Sequence, residues 1–185
     1  MTQVTNIQLK NSSSTSGWQS ENTLQFVDDD IHLCLKKDEQ QVLRKIQKAA
    51  RSIEKLGVKH VRLMGELWNE KTQWSFALGF TCVGKLTNVA FTGSNDCVNR
   101  LNDKLAVFAW SRDLINQTPS ELYPLKLAEL AADYISTQAP AYVTTRLTSG
   151  EELLQKGWVG IYNVGKGSVN PPCLLEVDFN PTGNA

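Results

Sequence analysis

The feature that most constrains this chain is an amphipathic run that stops on a glycine and passes at once into an alternating β-branched run. Across residues 39–56, Val42, Ile46, Ala49, Ile53 and Leu56 recur at three- and four-residue spacing, which places them on one face of a helix. Asp38 is positioned to cap that helix, with Gln41 three residues on to reach back, and Gly57 to end it. Residues 58–64 then have strand composition. A helix with one apolar stripe needs an apolar surface to lie on, and a neighbouring sheet supplies it. A crossover of strand, helix and strand follows, with the helix covering one sheet face.

The flanking segments extend this pattern. Residues 4–9, 23–27 and 31–35 have strand composition, and Asp28, Asp29 and Asp30 form a polar turn between the last two, as in a hairpin. The Ser/Thr-rich residues 11–17 read as a loop, and residues 74–80 as a short aromatic helix ending near Gly79. Residues 86–95 mix Thr, Gly, Ser and Asn with few periodic apolar positions. They are taken as the boundary between a module at residues 1–95 and a second at 96–185.

Beyond that boundary, Val98, Leu101, Leu105 and Phe108 lie on one helical face. A further helix starts near Pro124 and is expected to bury Leu127, Leu130, Ala131 and Tyr134. Residues 141–147 read as a strand, and 149–156 as a short helix opened by a Ser149/Glu152 capping box and closed by Gly157. Residues 158–164 and 173–179 read as further strands. Strands alternating with helices define an α/β fold class.

Composition excludes several function classes. Lys plus Arg and Asp plus Glu both number 19, so no overall field gathers phosphate backbones or an anionic bilayer. Nucleic acid and membrane are therefore not expected as partners. No stretch approaches the roughly 20 apolar residues of a membrane span, and the N-terminus lacks the basic and apolar regions of a signal peptide; a cytoplasmic location is expected. Cys34, Cys82, Cys97 and Cys173 are widely spaced among apolar or small neighbours, which suits buried reduced thiols.

One long pattern carries more information. Trp110, Arg112, Asp113, Asn116, Leu122, Pro124, Leu127 and Ala128 stand as in the R-D-x-x-N-x-P-x-x-x-L-x-P-x-x-L-A signature that opens the catalytic domain of leucyl aminopeptidases, with Pro119 one residue later than the pattern. Val164, Gly165, Gly167, Ser168, Pro171, Pro172, Leu174, Leu175, Asn180 and Pro181 are similar to that family's V-G-x-G-S-x-x-P-P-x-L-L-x-x-x-Y-N-P block, with Phe179 in place of its tyrosine. Upstream, the stretch from Ile46 through Arg51, Gly57 and Gly65 to Trp68 resembles the small N-terminal module of the peptidase B branch.

The resemblance implies an N-terminal α/β module followed by the first strand-helix unit of an aminopeptidase catalytic domain. It also implies a hexameric, cytoplasmic exopeptidase that removes N-terminal residues from peptides with two divalent metals, manganese or zinc. The family's metal motifs, G-K-G-x-x-x-D-x-G-G, M-K-x-D-M-G-G and N-T-D-A-E-G-R, do not occur in these 185 residues, and the family's order puts them after the Asn180 element. The expectation is therefore an N-terminal portion of such an enzyme, inactive alone, with no catalytic, cofactor-binding or metal residue of its own. The alternative is a non-catalytic interaction or oligomerisation module.

Other motifs have plainer readings. Lys166 mimics the metal-site lysine, but Ser168 to Pro172 replace the aspartate and paired glycines that should follow, so it is a turn residue of the V-G-x-G-S block. The same stretch is one residue from a P-loop, yet Gly167 stands where a hydroxyl is needed for magnesium, and Tyr162 and Val164 suit a strand. His32 and His60 lack closely spaced ligand partners, and no G-x-S-x-G elbow supports a serine triad. The Asp28 to Asp30 cluster lacks the spaced ligands of a calcium loop, while Glu151 and Glu152 suit a helix N-terminus. Arg112 and Asp113 are compatible with a scaffold for the active-site domain or with a plain salt-bridged helix.

Overall fold

Alternation along the first strands sets the first sheet. In the computed structural model, which describes residues 3–11, 23–28, 30–36, 41–82 and 84–182, β1 (Thr5–Asn11), β2 (Leu24–Val27) and β3 (Asp30–Leu35) precede helix α1 (Val42–Lys55). They are followed by β4 (His60–Met64), α2 (Glu70–Phe80), β5 (Asn88–Ala90) and α3 (Asn95–Ile115). The five strands form one sheet in the order β2-β3-β1-β4-β5, parallel except where β2 meets β3. The hairpin reading of residues 28–30 holds where it is described: Asp28 has φ 51, and Asp30 begins β3.

Because side chains alternate along each strand, one face collects Ile7 and Leu9, Ile31, Leu33 and Leu35, Val61 and Leu63, and Val89. Against it lie Ile46, Ala49, Ala50 and Ile53 of α1 together with Phe76 and Phe80 of α2 in a single core. The α1 stripe is as the sequence spacing requires, except that Leu56 is 62% exposed, since the helix ends before it. Gly57 takes φ 90, the left-handed conformation of a helix terminator. Asp38 lies outside the described residues. Gln41 does not reach back: it is itself the N-cap, at φ 63, without a side-chain capping bond.

Helix α2 starts earlier than residue 74, because Asn69 and Thr72 form a capping box. Thr72 N donates to Asn69 Oδ1 at 3.0 Å, and Asn69 N to Thr72 Oγ1 at 2.9 Å. Within residues 86–95 sits β5, three residues too short to show a period, held at the sheet edge beside β4.

The chain divides into two compact units, residues 1–112 and 113–185. In the second, α4 (Pro124–Gln138) is followed by β6 (Val143–Ser149), α5 (Glu152–Gln155), α6 (Val159–Gly165) and β7 (Cys173–Phe179). β6 and β7 pair antiparallel from Val143 with Phe179 to Ser149 with Cys173, and α4 packs on the pair.

Three expectations fail here. Residues 158–164 are mainly helical, not a strand: Tyr162 N donates to Trp158 O at 3.2 Å and Lys166 N to Tyr162 O at 2.8 Å, so the backbone is satisfied locally and needs no strand partner. The Ser149/Glu152 capping box is not formed, since Ser149 ends β6 and Glu151 is the N-cap. In α4 the buried residue is Ala128, one step round the helix, and Leu127 is 42% exposed. Leu130, Ala131 and Tyr134 are half-buried.

Candidate functional site

The most concentrated chemistry in the first unit surrounds Glu54. It falls on the apolar stripe of α1, four residues after Ala50, and is 7% exposed. An isolated carboxylate there would be costly, and it is compensated. Lys85 Nζ donates to Oε1, and Cys82 Sγ approaches Oε2 at 3.9 Å. A turn in which Lys85 N donates to Cys82 O at 3.2 Å presents both side chains. The Glu54 hydrogen bond pushes the Lys85 ammonium above its usual range, so this lysine stays charged and is not a base. Beside the pair opens a depression of about 560 Å³ that also takes in Lys55, Lys59 and Leu86.

Two further polar devices brace this unit. Gln73, 1% exposed, reads the main chain after β5 with both ends of its amide: Nε2 donates to Thr92 O at 2.9 Å and Thr92 N donates to Oε1 at 2.8 Å. Glu70, in the first turn of α2, accepts from Lys104 at 2.8 Å and Arg100 at 2.9 Å on α3. Those two hydrogen bonds hold its carboxyl at about 2. Arg112 donates to Thr81 O at 2.9 Å at the C-terminus of α2, and its guanidinium lies 4.4 Å from the Phe108 ring centre. Arg112 is thus a strut, while its sequence neighbour Asp113 is exposed.

In the second unit, Lys166 is exposed and forms the C-cap of α6. The preceding Gly165 is required by contact: a Cβ there would lie 2.4 Å from Pro172 Cβ. The V-G-x-G-S and P-P elements therefore meet as one packed turn. Glu152 opens α5 and pairs with Lys156 at 2.8 Å, whose Nζ also donates to buried Thr148 at 3.1 Å. A depression of about 450 Å³ on the β6–β7 ribbon is lined by Thr144, Arg146, Glu176 and Asp178.

His32 and His60 stand on strands β3 and β4. All four cysteines are free and half-buried, less covered than their neighbours suggest, and burial pushes the Cys34 and Cys173 thiols up. Among the described residues no three His, Cys, Asp or Glu side chains converge as a metal site requires. Nor is any described helix long and apolar enough to cross a membrane. Sequence reasoning missed Glu54 and Gln73. Glu54 had a signal, a carboxylate on an apolar stripe; Gln73 had none, because its partner is main chain 19 residues away.

Comparison with known proteins places these features. Residues 6–95 match a domain family described as Peptidase. Residues 109–185 match the family model described as Cytosol aminopeptidase family, catalytic domain. Among solved structures, the bottromycin maturation enzyme BotP in complex with Mn aligns over 98% of this chain and 46% of its own, at TM-score 0.71 and 16% identity. A tomato leucine aminopeptidase mutant aligns over 97% and 48%, at 0.65 and 11%. The Leishmania major leucyl aminopeptidase bound to actinonin aligns over 92% and 43%, at 0.62 and 16%. The fold is that of leucine aminopeptidases, and the chain spans about half the length of these neighbours.

Proposed function

We propose that the chain supplies the N-terminal portion of a peptidase B-type leucyl aminopeptidase, with residues 1–95 as the N-terminal module and 96–185 as the start of the metallo-aminopeptidase catalytic domain. The reaction is removal of N-terminal amino acids from peptides in intracellular turnover, by a cytoplasmic homo-hexamer using two divalent metals, manganese or zinc. The observation that carries this reading is the order of two matched segments in one chain: a peptidase module at 6–95, then the aminopeptidase catalytic-domain match at 109–185. The manganese in the BotP neighbour supports the metal class.

The role of the 185 residues in this reading is structural. Their packed Gly165–Pro172 turn and β6–β7 ribbon begin a catalytic layer, and the metal ligands come from outside them. The test is hydrolysis of Leu- and Glu-arylamides by the purified 185-residue chain with added manganese. No turnover is expected, and activity that survives purification to homogeneity would overturn the assignment. An in-frame continuation after codon 185 into G-K-G-x-x-x-D-x-G-G supports the enzyme. A stop with no downstream catalytic sequence supports the non-catalytic interaction or oligomerisation module instead.

A further inference from the structure

The solvent face of α1 carries a row of four cations that no ion pair among the described residues balances. Arg44, Lys48, Arg51 and Lys55 follow one another at spacings of four, three and four residues and are all exposed. The lone acid of the helix, Glu54, is buried and bound to Lys85. Among the described residues no ion pair neutralises any of the four. Apart from Lys55, which suits the last turn, the arrangement works against the helix itself. Arg44 with Lys48 and Arg51 with Lys55 are like charges one turn apart, and the first turn, where the helix dipole favours acids, has none. Helix stability does not explain Arg44, Lys48 and Arg51.

The surface around α1 is not flat. A depression of about 320 Å³ near its middle includes Lys45, Lys48 and Ser52. The depression beside Glu54 includes Lys55, Lys59 and Lys85, so the cationic face has a concavity along its length and another at its C-terminal end. The four cations span 12 residues, 44–55, or roughly 16 Å of helix from first to last. Consecutive ones are roughly 4.5–6 Å apart along the axis, somewhat under the roughly 6.6–6.8 Å between alternate side chains of an extended polypeptide. Leu43, 44% exposed, and Leu56, 62% exposed, bracket the stripe.

We propose that this face of α1 is a docking site for an acidic polypeptide segment in extended conformation, with carboxylates over the four cations and apolar residues at one or both ends on Leu43 and Leu56. The bracketing leucines favour polypeptide over a phosphate backbone, which would leave them unused. α1 also has no aromatic residue on which bases could stack, and the whole chain carries no net charge to gather nucleic acid. The site lies in the first unit and goes beyond the aminopeptidase reading, which it neither requires nor alters.

The test is fluorescence anisotropy of a labelled octaglutamate peptide, with octaglutamine and a labelled single-stranded oligonucleotide as comparators, titrated with the 185-residue chain at low and high salt. The octaglutamate is expected to bind at low salt and to be released by salt. The K48E/R51E variant should weaken binding roughly tenfold, since two favourable exposed pairs become repulsive. Reversal elsewhere, Lys166→Glu, should leave it unchanged. Should K48E/R51E lose its helical circular dichroism, K48Q/R51Q gives the same readout without new charge. No octaglutamate binding at low salt, equal loss with Lys166→Glu, or tighter binding of the oligonucleotide would each overturn the proposal.

Discussion

Gly79→Ala tests how closely the two helices of the first unit are built together. Gly79 lies on α2 where it crosses α1, and an added Cβ would meet Gln47 O at 2.1 Å, Gln47 C at 2.9 Å and Ala50 Cβ at 3.0 Å. Ordinary contact begins at 3.4 Å, so the difference, 3.4 − 2.1, asks for about 1.3 Å of retreat. The obstructing atom is helix backbone and cannot swing aside as a side chain would. The helices must therefore part, and Ile46, Ala50, Phe76 and Phe80 lose packing together. Overpacking of this kind costs about 3 kcal/mol at the upper end of its range, and alanine's better helix propensity returns about 1. A net loss of about 2 kcal/mol follows, which in urea, at a slope of about 2 kcal/mol/M, lowers the midpoint by about 1 M. Tryptophan emission reads the transition, since Trp68 is buried at 7% exposure and edge-on to Phe76 at 5.7 Å. Gly160→Ala in α6, where nothing lies within 4 Å, is the counterpart and should gain up to about 1 kcal/mol. A Gly79→Ala midpoint equal to or above the parent's would refute the close-approach argument and leave propensity as the governing effect.

Other outcomes follow from the polar devices. Gln73→Leu removes both amide bonds to Thr92 and leaves a main-chain donor and acceptor unpaired beside the core. The expected loss is about 2–4 kcal/mol in the same denaturation assay, and a loss below about 0.5 would show that water replaces the amide. The Glu70 carboxyl sits at about 2 against an ordinary 4.5, held down by Lys104 and Arg100. Its folded value is depressed, so its contribution is complete above pH 4.5 and is lost as the pH falls toward 2. Glu70→Gln should therefore flatten the decline of melting temperature across that window and leave a smaller pH dependence; an unchanged acid slope would assign the decline to other carboxylates.

Local patterns sufficed for a good part of the architecture. The α1 stripe, the short strands on either side of the Asp28 turn, and the stop at Gly57 were legible because backbone geometry fixes each within a few residues. The Asn69/Thr72 capping box was equally local, yet it departs from the Ser/Thr with Glu/Gln form and the start of α2 was misplaced. The resemblance carried by Arg112, Asp113, Asn116 and Pro124 pointed to the aminopeptidase family before any fold was in view, and the match at residues 109–185 agrees with it.

What the tertiary structure alone decided concerns choices that local sequence leaves degenerate. Residues 158–164 are apolar and alternating enough for a strand, and only the available partners settle the matter: β6 and β7 pair with each other, and the intervening segment closes its hydrogen bonds as α6. In α4 the buried position is Ala128 and not Leu127, a choice of helix face that neighbouring residues of similar apolar character leave open. Glu54 acquires its partners, and Gly79 its necessity, from residues 28 to 32 positions distant in the chain. Periodicity is a property of the backbone and can be read locally. Helix approach, sheet partnership and the pairing of a buried charge depend on long-range packing, and these the sequence left to the fold.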